Sequence, residues 1–202
     1  MTVSGLPAAV ILAGGRSSRM GGKRKALLEL NGRSLLSRVI DRLEIQSSAL
    51  LLSCDNNSGL ESFDLPLVPD LLPGYRGPLT GLYSALKYHS DSGQKNALVL
   101  CPCDAPFIPF NLVQTLLETD QADEERVVAV SYRGILQPTF SLWHQHHLTE
   151  IHQAVVEHGY GSLKHLFYSL PHKIVEWSPV EPSPFFNINT PRDLETASTY
   201  LD

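Results

Sequence analysis

The sequence predicts an α/β chain in three layers, α/β/α, with a mostly parallel sheet and helices on both faces. Three observations point there. Ala9–Ala13, Leu50–Leu52 and Ala97–Cys101 are short continuous apolar runs, the pattern of strands covered on both faces. Leu35, Leu36, Val39, Ile40 and Leu43 recur at helical spacing between the first two runs, and Leu82, Ala85 and Leu86 do so before the third. Strand and helix patterns alternate, as parallel neighbours require, because each return to the sheet needs a crossover.

The first run ends at Gly14, and the second gives way to the polar loop CDNNSG. Leu65–Val68 reads as a short strand broken by Pro66 and Pro69, and Gly81–His89 as a helix. The third run ends in CPCDAP. Leu112, Leu116 and Leu117 mark the next helix, and Val127–Val130 the next strand. Phe140–Trp143 is expected to run on into an amphipathic helix carrying Leu148, Ile151 and Val155. Ile174–Trp177 reads as a last strand. A final helix then opens with Thr190 as N-cap, Pro191 at N1 and Asp193 at N3.

At 202 residues the chain suits one domain spanning 1–202, and no repeat, low-complexity tract or linker divides it. An apolar content of 43% and a charged content of 18% belong to a globular chain with a core. A net charge of −5 argues against broad nucleic-acid binding, so the basic residues near the start are a local feature. No apolar run reaches the roughly 18 residues that suggest a membrane span. The first residues also lack the basic region of a signal peptide. Cys54, Cys101 and Cys103 make an odd number with no paired framework, which suits a reducing compartment. The expectation is a cytoplasmic protein with neither nucleic acid nor membrane as partner.

The stretch VILAGGRSSRMGGKRKALLELNG places Gly14, Gly15, Gly21 and Gly22 among Arg16, Arg19, Lys23, Arg24 and Lys25. Glycines admit a ligand close to backbone N–H groups, and clustered cations suit an anion. Two common phosphate loops fail. A G-x-x-x-x-G-K-[ST] pattern set on Gly22-Lys23 would need glycine at Ser17 and serine or threonine at Arg24. G-x-G-x-x-G fails because Gly14 and Gly15 are adjacent and Arg16 follows. What remains still suits a nucleoside triphosphate at the carboxyl end of a parallel strand. Gly14 and Gly15 would offer N–H groups, and Arg19 and Lys25 would meet the phosphates.

Asp104, directly after a buried strand, would share that rim. A hard cation such as Mg²⁺ takes oxygen ligands and needs only one or two carboxylates beside substrate phosphates. Asp70 suits either the N1–H and N2–H₂ donors of guanine, a ribose, or a plain turn cap. Gly77, Pro78 and Gly81 either shape a nucleotide pocket or form turns. Asn187 and Asn189 alternate outward from an expected strand, to hold a metal or substrate or to cap the last helix. Cys101 and Cys103 lack zinc spacing and read as buried structural thiols. His144, His146, His147 and His152 read as an exposed helix start without metal.

LAGGRSSRMGGKRKALLELNG resembles the signature of nucleotidyltransferases of the glycosyltransferase-A-like superfamily. Together with VPDLLPGYRGPLTGL, LVLCPCDAPFIP, QPTFSLW and FNINTPRDLE, it resembles the molybdenum cofactor guanylyltransferase (MobA) family over nearly the whole chain. The resemblance implies a Rossmann-like fold of the nucleotide-diphospho-sugar transferase type. It implies transfer of GMP from GTP to Mo-molybdopterin with release of pyrophosphate. Leu12, Ala13, Gly14 and Lys25 match that family's GTP loop, Asp70 a GTP-binding aspartate, and Asp104 its Mg²⁺ ligand. Ser53 stands where asparagine is frequent in the family, and Asn187 and Asn189 match its terminal asparagines on the substrate side.

Lys25, Asp104 and Arg19 are thus the expected catalytic residues, with Gly15, Ser53 and Gly81 in the surrounding pocket. The expected partners are GTP and Mo-molybdopterin, with molybdoenzyme-delivery proteins as further candidates. Two other readings compete. One is a cytidylyl- or sugar-nucleotidyltransferase, because the loop does not choose the base. The other is a non-catalytic cofactor carrier, against which Lys25 and Asp104 argue.

Overall fold

The structure, a computed structural model, describes residues 5–14, 24–54, 59–72, 77–94, 96–121, 125–159 and 162–201. The chain starts with β1 (Ala8–Leu12), the small antiparallel pair β2 (Glu29–Leu30) and β3 (Arg33–Ser34), and α1 (Leu35–Leu43). β4 (Leu50–Ser53), β5 (Leu67–Val68), α2 (Pro78–Asp91) and β6 (Leu98–Pro102) follow. The second half holds α3 (Leu112–Asp120), β7 (Val127–Tyr132), β8 (Ile135–Trp143) and α4 (Leu148–His152). α5 (Leu163–Ser169), β9 (His172–Trp177) and α6 (Pro191–Ser198) complete it.

The larger sheet has seven strands in the order β5-β4-β1-β6-β8-β7-β9. β5, β4, β1 and β6 are mutually parallel, β8 runs antiparallel to β6 and β7, and β9 returns parallel to β7. Alternation along β1 sorts the core into two layers. Ala9 and Ile11 face Leu36, Val39 and Leu43 of α1 and Leu112 and Leu116 of α3. Ala8 and Val10 face Leu79, Leu82 and Leu86 of α2 and Leu163 and Phe167 of α5. β1, β4 and β6 are covered on both faces, and this is why they read as unbroken apolar runs.

After β1 the chain moves outward to β4 and β5, then crosses back over α2 to β6 on the other side of β1. The order therefore reverses between β1 and β6, and the crevice at their carboxyl ends is where such sheets bind ligands. Register aligns that rim: Leu12 lies opposite Ser53 on one side and Pro102 on the other.

One expectation is refined and one changes here. Phe140–Trp143 ends a nine-residue strand. After His144 the chain enters a 3-10 turn (Gln145–His147), then α4 with Leu148 and Ile151, and a π-helical turn (Gln153–Glu157) with Val155, so the expected helix forms. The mixed apolar and polar residues of β8 suit an antiparallel strand reached by a tight turn through Arg133 and Gly134, both at positive φ. Asn187 and Asn189 lie in an irregular segment rather than on a strand. The last helix forms as expected. Thr190 Oγ1 accepts from the Asp193 N–H at 3.2 Å, while Asp193 Oδ2 accepts from the Thr190 and Asn189 N–H groups at 2.8 and 2.9 Å.

The histidines are also placed differently. His144 and His147 are 8% and 2% exposed, not on an open helix start. His144 Nε2 pairs with Asp120 Oδ1 at 3.0 Å, and its backbone N–H donates to His147 Nδ1 at 3.1 Å. Among the described residues, no group of three or more His, Cys, Asp or Glu side chains is arranged to hold a metal. Burial, then the charge on neighbouring His146, pushes His147 down to about 4. Folding therefore favours neutral His147. Its contribution is fully present above the ordinary value of about 6.5 and is lost as pH falls through about 4. His147→Gln is expected to lose less of its urea midpoint over that window than the parent protein. Equal losses would contradict the assignment.

Candidate active site

The site is assembled by the rim of the sheet and by one backbone tie. Asp104 follows β6 by two residues, and its carbonyl accepts the Ile188 N–H at 2.8 Å. That bond draws the C-terminal segment across the end of β6, so Asn187 and Asn189 flank Asp104. The α6 cap fixes the far side of the same segment. Burial works against ionised Asp193, but the N–H donors of Asn189 and Thr190, with Lys25 nearby, outweigh it and hold that carboxyl below the usual range.

Lys25 opens a short 3-10 turn, Lys25–Leu27, that packs beside α1. Its Nζ donates to Asp104 Oδ2 at 2.9 Å and to Asn189 Oδ1. The two charged side chains are only 20% and 14% exposed, so water screens their attraction less than it would on an open surface. Residues 79 and 164 positions apart from Lys25 thus meet at one ammonium.

These groups line a cleft of about 220 Å³. Leu12, Gly14, Ser53, Asp70, Gly77, Pro78 and Gly81 form its β5-β4-β1 side, and Asp104, Asn187 and Asn189 lie on the β6 side. Of the residues singled out in the sequence, Ala13 is fully buried and does not line the cleft. Gly15 and Arg19 lie outside the described residues, as do Arg16 and Lys23. Cys103 and Thr139 also line the cleft. Cys103 is buried, and burial raises its thiol far above the ordinary range, as it does for Cys101. Neither thiol is a nucleophile near neutral pH.

Close packing shapes the β5-β4-β1 side of the cleft. Gly77, at φ +82°, leads into Pro78 at the first turn of α2. A Cβ placed on Gly81 would stand 2.6 Å from both Leu12 Cδ2 and Ser53 Oγ. Any larger residue would have to displace both side chains for α2 to lie this near the rim of β1 and β4.

The carboxylate of Asp104 and the side-chain oxygen of Asn187 are hard donors in one cleft. Asn187 Oδ1 is buried with no hydrogen-bond partner, a cost that a cation would remove. The donor set fits Mg²⁺.

A family model described as the MobA-like NTP transferase domain matches residues 9–173. The chain belongs to that family. A molybdenum cofactor guanylyltransferase of Rhodopseudomonas palustris (strain HaA2) is 36% identical over 194 residues, covering 95% of this chain and 90% of the relative. One from Yersinia pseudotuberculosis (serotype O:1b, strain IP 31758) is also 36% identical, covering 92% of each chain. Among solved structures, molybdopterin-guanine dinucleotide biosynthesis protein A from Archaeoglobus fulgidus superposes with a TM-score of 0.77 at 20% identity, covering 96% and 98% of the two chains. The CTP complex of CMP:2-keto-3-deoxy-manno-octonic acid synthetase gives 0.72 at 15% identity over 96% and 98%. These two likenesses establish the MobA-like fold as one of the nucleotide-diphospho-sugar transferase type.

Proposed function

We propose that this MobA-like chain is a molybdenum cofactor guanylyltransferase, transferring GMP from GTP to Mo-molybdopterin and releasing pyrophosphate. The observation that carries the reading is the Lys25–Asp104–Asn189 constellation at the reversal of strand order. Relatives bearing this name that match 95% and 92% of the chain support it.

In the reaction, an oxygen of the acceptor's phosphate attacks the α-phosphorus of GTP. The bond from that phosphorus to the bridging oxygen of the β-phosphate breaks, and pyrophosphate leaves with the electron pair. The acceptor phosphate is ionised near neutral pH, so no strong base is needed. The protein's work is alignment and charge neutralisation. Lys25 supplies a cation between the two sides of the cleft, already oriented by Asp104 and Asn189. Arg19 is assigned to the departing pyrophosphate. Asp104 and Asn187 would hold Mg²⁺, which when bound neutralises phosphate charge. Asp193 keeps Asn189 in place through its main-chain N–H.

Asp70 sits on the β5 side, where the base would lie. A carboxylate only accepts hydrogen bonds, and guanine offers adjacent N1–H and N2–H₂ donors. Cytosine offers one amino donor beside two acceptors that a carboxylate repels. This favours GTP over CTP. We place the enzyme in the cytoplasm on its buried free thiols; among the described residues no helix is long and apolar enough to cross a membrane. Delivery proteins that receive the product are candidate partners. Calorimetric titration with ATP, CTP, GTP and UTP in the presence of Mg²⁺ should show GTP binding at least tenfold tighter than the rest. Preference for CTP would overturn the base assignment.

A further inference from the structure

β8 leaves its neighbour for three residues. Ala129 of β7 lies opposite Ser141, but the next residue, Val130, lies opposite Gln137. Pro138, Thr139 and Phe140 therefore have no partner on β7. A common bulge adds one residue; this excursion adds three, and it opens with a proline that has no N–H to give a ladder.

The excursion is held in place from both ends. Ser141 Oγ donates to the Pro138 carbonyl at 2.8 Å, and the Trp143 indole N–H donates to Ser141 Oγ at 2.8 Å. Ser141 and Trp143 are fully buried. Phe140, also fully buried, packs edge-on against Phe185 with ring centroids 4.8 Å apart. Phe185 lies two residues before Asn187, so the excursion and the asparagine segment share one anchor. Between these fixed points Thr139 reaches the cleft, and it lines the cleft together with Asp104 and Asn187. Its hydroxyl has no protein partner among the described residues.

β8 lies beyond β6, on the opposite side of β1 from Ser53 and Asp70. A nucleotide whose base meets Asp70 occupies the β5-β4-β1 side, which leaves the β6-β8 side to the second substrate. We propose that Thr139 determines binding of the acceptor: its hydroxyl donates a hydrogen bond to the phosphate-bearing acceptor, not to GTP. This rests on the guanylyltransferase reading. A hydroxyl suits the place. It donates to an anionic oxygen and adds no positive charge that would hold the product.

Thr139→Val preserves shape and removes the hydroxyl; Thr139→Ser keeps it. Pyrophosphate release should be followed against GTP and Mo-molybdopterin in turn, with GTP affinity measured directly. Thr139→Val should raise KM for the acceptor about tenfold, the loss of roughly 1.4 kcal/mol. KM and Kd for GTP should stay within about twofold, the unchanged Kd also showing an intact fold, and Thr139→Ser should recover the parent values. Parent-like acceptor KM in Thr139→Val, or an equal rise in both KM values, overturns this assignment while leaving the activity standing. No pyrophosphate from the parent protein overturns both.

Discussion

Asp104→Ala lowers turnover by about a thousandfold or more, since the variant loses both the anion that orients Lys25 and the one carboxylate of the two hard oxygen donors assigned to the cation. The fold should survive. The tie that docks the C-terminal segment uses the backbone carbonyl of residue 104, which the substitution leaves in place. Asp104→Asn separates shape from charge. It keeps a side-chain oxygen for the ammonium of Lys25 and removes the negative charge a cation needs, so it should be nearly as inactive as the alanine variant. Pyrophosphate release measures the loss, and a thermal transition close to that of the parent shows that it is local. Near-normal turnover in either variant would remove Asp104 from the chemistry.

Gly81→Val should cost both stability and nucleotide affinity. Two effects compete at this helical position. Replacing glycine within a helix generally gains up to about 1 kcal/mol, less for a β-branched residue. Against this, the new Cβ meets Leu12 Cδ2 and Ser53 Oγ at 2.6 Å, and Ser53 is 3% exposed with little room to move. Overpacking of this kind costs about 1–3 kcal/mol, and the added γ-methyls place valine near the upper end. The steric term wins. Leu12 must swing into the cleft it lines, so the Kd for GTP should rise at least tenfold while the melting temperature falls by about 4–8 °C. Ser53→Ala in the same chain removes one of the two collisions and should restore part of both losses, a coupling that a double-mutant cycle reads directly. Unchanged GTP affinity in Gly81→Val would contradict the close packing of α2 on the rim.

The sheet was legible where burial is complete on both faces. β1, β4 and β6 are continuous apolar runs for that reason, and the alternation with α1 and α2 implied a parallel order. The antiparallel β8 was legible only in part, because its exposed start and the proline-led excursion interrupt any simple period. Pro138 inside QPTFSLW was the available signal, since proline within a strand marks an edge or an irregularity. The pairing of Lys25 with Asp104 was inferable only as residence on a common rim. Their contact depends on the Ile188–Asp104 backbone bond and on the α6 cap, which no local pattern states. His144 and His147 misled for the opposite reason. Polar residues read as surface until the partner appears, and here the partner of His144 is Asp120, at the end of α3 and 24 residues earlier in the chain.

The central claim is that this cleft joins a nucleotide to an acceptor phosphate. Radiolabelled GTP offers the most direct measurement. With GTP carrying ³²P at the α-position, Mg²⁺ and Mo-molybdopterin, a single turnover should move label into a dinucleotide product and release one unlabelled pyrophosphate for each label transferred. Label that stays in GTP, or appears only as free GMP, would contradict the account.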